Sequence, residues 1–167
     1  MKDIENIFVE KLHECNQHKK RLQIAKKHLS KNIPFTKDNY ANLSDAEISF
    51  VDQLIFRFSK LQDTMGDKLF PSLLELVGEN VKDKTFIDRL NRLEELGLVD
   101  RVEWMSLRKD RNEIAHEYSF NQDEVIDSIN LIYNLSDKLI SIYDGFYKYC
   151  FEKFSFVEES NILDVRI

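Results

Sequence analysis

Apolar positions Ile4, Phe8, Leu12, Cys15, Leu22, Ala25 and Leu29 fall at helical steps, the spacing that stacks side chains on one face of an α-helix. The pattern predicts a first helix over about residues 3 to 30, broken by Asn32-Ile33-Pro34. The polar stretch from there to Asn42 reads as a connector carrying Phe35 and Tyr40. Ser44-Asp45-Ala46-Glu47 has the form of a capping box, with Ser44 accepting from the first turn and Glu47 reaching back. A long second helix follows on Ile48, Val51, Leu54, Ile55, Phe58, Leu61, Met65 and Leu69. Pro71 removes a backbone donor inside it, so it should kink or divide before stopping near Gly78.

Ile87, Leu90, Leu93 and Leu96 form the stripe of a short third helix, with Gly97 placed to follow its end. Asp100 is a cap for a fourth helix, with Glu103 three positions on, and its expected core contacts are Val102, Met105, Leu107 and Ile114. Asp123 opens the last helix, where Ile126, Ile129, Ile132, Leu135, Leu139, Tyr143, Phe146 and Cys150 keep the period for about 30 residues. About five helices with short connections predict an all-α, up-and-down helical bundle as a single domain over residues 1–167. The tail from about 155 to 167 alternates weakly and stays unassigned. Phe50, Phe56, Phe58, Phe146, Tyr147 and Phe151 exceed one stripe per helix, which leaves some of them for a partner chain.

Composition narrows the class. Four Gly and two Pro in 167 residues leave few turns for a many-stranded sheet. No apolar run approaches the roughly 18 residues of a membrane helix, and the N-terminal residues Lys2, Asp3 and Glu5 stand where a signal peptide has an apolar stretch. A cytoplasmic protein without a membrane partner is expected. Cys15 and Cys150 fit neither a disulfide framework nor paired zinc motifs and read as core thiols. The net charge of −6 argues against coating by nucleic acid over the whole surface. Yet Lys19, Lys20, Arg21, Lys26, Lys27, Lys31 and Lys37 form a strip without an intervening acid. Such a strip tracks a phosphate backbone or is simply a solvated helix face.

His13, Cys15 and His18 point in separate directions around a helix, since a five-residue step is about 140°, so no metal site is expected. Glycine-rich phosphate loops, H-E-x-x-H pairs and G-x-S-x-G elbows are absent from the sequence. One stretch is different: Leu107-Arg108-Lys109-Asp110-Arg111-Asn112-Glu113-Ile114-Ala115-His116-Glu117-Tyr118. On a continuous helix Arg108, Asn112 and His116 make one polar ridge, with Arg111 about 60° away from Arg108. It supplies a guanidinium fork for phosphate, an orienting amide and an imidazole for proton transfer, the parts of metal-free phosphodiester cleavage. A solvated helix end with an ion pair has the same composition.

The stretch Arg111 to Tyr118 resembles the R-x4-H-x-Y signature of HEPN-domain proteins of the HepT-like toxin type, including the polar residue after the arginine. Phe56 to Asp63 and Lys68 to Phe70 look like that family's long second helix, so the likeness covers about residues 45 to 150. The resemblance implies a cytoplasmic, homodimeric RNA endonuclease that needs no cofactor or metal and acts as the toxin of a pair with a minimal nucleotidyltransferase antitoxin. In that reading Arg111 holds the scissile phosphate, Asn112 positions, His116 transfers protons, and the ribose 2′-hydroxyl is the nucleophile. Tyr118 is the implied acceptor of adenylyl groups, while its position alone fits equally a buried ring with a wet tip. Arg108, Lys19, Lys20, Arg21, Lys26 and Lys27 are the expected RNA contacts. The long first helix and the tail depart from a compact family member, and Glu113 and Glu117 flank the motif. A catalytically inactive HEPN companion of a nucleotidyltransferase is the alternative, and an adaptor bundle without nucleic acid is a third.

Overall fold

The computed structural model describes residues 2–114 and 121–157, apart from the side chains of Lys2, Glu113 and Ile114. The fold is an all-α helical bundle, with no strand among the described residues. Helix α1 (Lys2–Leu29) passes directly into a short 3-10 turn at Ser30–Asn32. Its expected stripe is its buried face: Phe8, Leu12, Cys15, Leu22, Ala25 and Leu29 are all fully buried. This face lies most extensively on α3 (Asp45–Thr64) and also meets α7 (Gln122–Lys153).

The connector contains a helix that the apolar pattern did not announce. Thr36 caps α2 (Lys37–Ala41): its side chain accepts from Asn39 N, and the Asn39 side chain accepts from Thr36 N. Five residues are too few to build an apolar stripe, so only the cap chemistry carries the signal. Asn130 of α7 then holds the segment, accepting from Phe35 N at 2.8 Å and donating to Phe35 O at 3.0 Å.

Ser44 caps α3 by accepting from Glu47 N at 3.2 Å. The Glu47 carboxylate pairs with Lys31 at 3.5 Å, so the box is realised on its Ser44 side. Pro71 divides the second helix as expected. A π-helical turn, Met65–Leu69, precedes it, and α4 (Phe70–Leu76) begins with Pro71 in its first turn, where the missing donor costs least. Gly78 and Gly97 have φ of +89° and +74° and end α4 and α5 (Phe86–Glu95). In both places the next residue donates back five positions, Glu79 to Leu74 and Leu98 to Leu93, a closure that a side-chain-bearing residue makes at a steric cost.

Two expected faces rotate. On α5, Leu90 and Leu93 are buried but Ile87 is exposed. On α6 (Arg101–Ile114), capped by Asp100 accepting from Glu103 N at 2.8 Å, Trp104 and Leu107 form the buried face, Met105 is half-buried and Val102 is 72% exposed. The Trp104 ring is the larger apolar surface and packs on Phe70 at 4.8 Å between centroids, which sets the rotation of the helix. Ile114 lies outside the described side chains. Cys15 and Cys150 are free and buried, as the composition indicated. Phe58 and Phe146 are core, whereas Phe56 and Phe151 are exposed and Phe50 stacks on His28 at 4.1 Å. The near end of the tail is docked: Val157 is buried, and Phe154 and Phe156 close on Phe8.

Candidate functional site

The last turns of α6 face the end of α3 and the π-helical turn. Between them lies a cavity of about 250 Å³ whose wall includes Arg108, Arg111 and Asn112, three of the residues singled out by the motif. The opposite wall is Gln62, Asp63, Gly66 and Asp67, and Phe86 and Trp104 close the floor. The wider π turn carries Gly66 past the Trp104 ring. A Cβ at that position would sit in ordinary van der Waals contact, 3.4 Å from Trp104 Cζ2 and 3.9 Å from Phe86 Cε2, so the buried turn packs closely against both rings.

Arg111 donates from Nη2 to Asp63 Oδ2 at 2.8 Å, an ion pair between two residues of the cavity wall. Arg108 lays its guanidinium over the Phe86 ring at 4.2 Å. Both cations are thus oriented, one by a carboxylate and one by an aromatic face. Gln62 is 3% exposed, and neither its Oε1 nor its Nε2 has a hydrogen-bond partner; Arg111 Nε is also buried without one. Three orphaned polar atoms around one cavity are unusual, because buried donors and acceptors are almost always satisfied.

Sequence reasoning found the α6 side of this site and missed the α3 side. Gln62 did leave a signal, since it stands four residues after Phe58 and three before Met65, a polar residue on an apolar stripe. Asp63 left none, because its partner is 48 positions away. His116 and Tyr118 lie outside the described residues.

Four members of the basic strip are paired with carboxylates. Lys26 is bound to Asp137 at 2.8 Å, donates to Tyr133 O at 2.9 Å and lies over the Tyr133 ring. Lys19 pairs with Asp144, and Lys31 and Lys37 pair with Glu47 and Asp123. These four lysines tie α1 and the connector to α3 and α7, so their charge is matched within the fold. Lys20, Arg21 and Lys27 are exposed. Lys19 and Lys20 line a separate groove with Tyr143, Asp144 and Tyr147, made by α1 and α7 rather than by the motif helix.

Among the described residues no three His, Cys, Asp or Glu side chains converge as a metal site would require, and no helix is long and apolar enough to cross a membrane. No family model matches this chain, and no match to it is found among curated proteins or solved structures.

Proposed function

We propose that this chain is a metal-independent RNA endonuclease of the HEPN type, working in the cytoplasm as the toxin of a pair whose antitoxin is a minimal nucleotidyltransferase. The observation that supports the reading is the convergence of Arg108, Arg111 and Asn112 on one cavity, with Arg111 oriented by Asp63. In the reaction the 2′-hydroxyl of the RNA attacks the adjacent phosphorus and loses its proton to a base. The P–O5′ bond breaks, and the leaving 5′-oxygen takes a proton, giving a 2′,3′-cyclic phosphate and a 5′-hydroxyl. Arg111 stabilises charge on the non-bridging oxygens, Asn112 orients the phosphate, and His116 carries a proton. Two copies of the chain bring their motifs to one composite cleft.

One observation favours the inactive-companion reading. Asp63 and Asp67 share the cavity with the two guanidiniums, so its local charge is balanced rather than positive. Incubation of the purified protein with RNA, with Arg111→Ala and His116→Ala beside it, separates the two. The nuclease reading expects cleavage with 2′,3′-cyclic phosphate ends, insensitivity to chelator, loss in both variants with unchanged circular dichroism, and a dimer by light scattering. Full cleavage by a folded His116→Ala protein removes the mechanism, and absence of cleavage by the unsubstituted dimer favours the companion.

A further inference from the structure

The motif cavity balances its charge, but the face where α1 meets α3 does not. Arg57 of α3 is oriented by two neutral groups: Nε donates to Gln53 Oε1 at 3.0 Å, and Nη1 donates to His18 Nδ1 at 3.0 Å. Such partners fix a guanidinium without cancelling its charge, unlike the carboxylate that meets Arg111. Burial first, then the nearby charge of Arg21 of α1, hold the Arg57 pKa below its ordinary value. Among the described residues none of Arg21, Arg57 and Lys60 has a carboxylate partner, whereas Lys11, Lys19, Lys26 and Lys31 are each paired. The neighbouring acids are engaged elsewhere: Glu14 binds Lys11 at 2.7 Å, Asp63 binds Arg111, and Asp52 acts on Tyr40. Unmatched cations held together in a chain of net charge −6 make a local anion-attracting field. Beside them Phe56 is 48% exposed, with Arg57 5.1 Å and Lys60 5.8 Å from the centre of its ring. A ring kept at the surface among such cations suits a single nucleic-acid strand, because every base offers a face to an aromatic and every nucleotide a phosphate to a cation. At 100° per residue Phe56, Lys60 and Asp63 fall within about 60° of one another, so this face runs along α3 to the wall of the motif cavity, about 10 Å on.

We propose that this face of α1 and α3 is a docking track for single-stranded RNA, in which Arg21, Arg57 and Lys60 bind phosphates and the Phe56 ring packs against a base. The proposal rests on the RNA endonuclease reading for its purpose. It supplies what the motif cavity lacks: Arg108 and Arg111 are offset there by Asp63 and Asp67, so the attraction for the strand comes from the adjoining face. Paired bases hide their faces, so the track favours an unpaired strand over a duplex. It touches the strand away from the bond that breaks, and acts on binding rather than on the chemical step.

The test follows the anisotropy of a fluorescein-labelled 2′-O-methyl oligonucleotide, which lacks the nucleophilic hydroxyl and reports binding without cleavage. The full-length protein is titrated at several salt concentrations beside Phe56→Ala, Arg21→Gln and Lys60→Gln, with the exposed Lys148→Gln of α7 as the control. All the replaced side chains are exposed, so circular dichroism should be unchanged. Phe56→Ala should lose about tenfold or more in affinity, the scale of one base contact, with the salt slope unaltered. Arg21→Gln and Lys60→Gln should each reduce the slope of log affinity against log salt by about 0.7, the value for one phosphate of a single strand. Lys148→Gln should bind as the unsubstituted protein does, and a duplex of the same sequence should compete poorly. Full affinity in Phe56→Ala, or equal competition by the duplex, leaves a phosphate surface without a base contact and overturns the track. Absence of binding overturns it as well. So does a dimer that Phe56→Ala turns into a monomer with oligonucleotide binding unchanged, which assigns the face to a second copy of the chain. Binding that depends on Phe56, Arg21 and Lys60 in a protein that leaves RNA intact upholds the track and removes the nuclease reading alone. Cleavage whose KM is unmoved by all three substitutions keeps the nuclease and removes the track alone.

Discussion

Arg111 of α6 donates to Asp63 of α3 at 2.8 Å across the mouth of the motif cavity. The two side chains are 28% and 41% exposed, so the pair contributes no more than about 1 kcal/mol to stability. Its larger effect is geometric, because a guanidinium with one edge anchored presents the other edge at a fixed angle. Asp63→Asn is therefore expected to shift the melting temperature little. RNA cleavage should fall by up to about 10²-fold, the cost of a catalytic group misplaced by a fraction of its length. Arg111→Lys keeps the charge, loses the planar fork and should not restore cleavage. Turnover measured against melting curves for both variants checks the point.

On the proposed reading Tyr118 is the acceptor in the neutralisation step. Adenylylation there would add a phosphodiester anion two residues after His116 in the sequence, and is expected to compete with the RNA phosphate and repel RNA. Coexpression with the cognate nucleotidyltransferase and ATP should raise the intact mass by one or more adenylyl groups. Tyr118→Phe should remove the increment and leave cleavage resistant to the enzyme; an undiminished increment in Tyr118→Phe assigns the acceptor elsewhere.

The pH dependence of stability has a specific source in His18. The imidazole is half-buried with Nδ1 3.0 Å from Arg57 Nη1, and a guanidinium only donates, so Nδ1 is the unprotonated acceptor. Burial first, then the positive charges of Arg57 and Lys60, hold its pKa below the usual 6.5, with Glu14 opposing. Below pH 6.5 the unfolded chain takes up a proton that the folded one refuses. Stability therefore falls as the pH drops through 6.5 toward the lower folded value, and is fully present above 6.5. His18→Gln keeps an acceptor for Arg57 without a titrating group, so thermal melts between pH 5 and 8 should flatten in that variant.

Cys15 and Cys150 are fully buried, and desolvation pushes both thiols well above their ordinary value. Neither should react with a thiol reagent in the native protein, since the thiolate is the reactive form. Both should label once denaturant opens the core. Labelling in proportion to global unfolding, followed by mass spectrometry, measures the opening of α1 and α7 separately.

The chain announces its long helices because their signal is local. A stripe such as Phe8, Leu12 and Cys15, or Ile126, Ile129 and Ile132, repeats often enough that only one period fits, and caps such as Ser44 and Asp100 need partners only three residues away. The all-α class, the Pro71 division, the buried cysteines and the Arg108, Arg111, Asn112 side of the cavity were legible on that basis. What required the tertiary structure are relations between residues far apart in the chain. Val102 and Trp104 are both apolar, and only the ring of Phe70 decides which of them α6 buries. Lys19 and Lys26 read as a free cationic strip until α7 brings Asp144 and Asp137 against them. Asp63 becomes the partner of Arg111, and Gln62 an unsatisfied amide in a cavity, only when a π turn and a rotated helix set α3 beside α6. Local periodicity is written in the spacing of one segment, whereas charge pairing and cavity shape depend on how several segments pack at once.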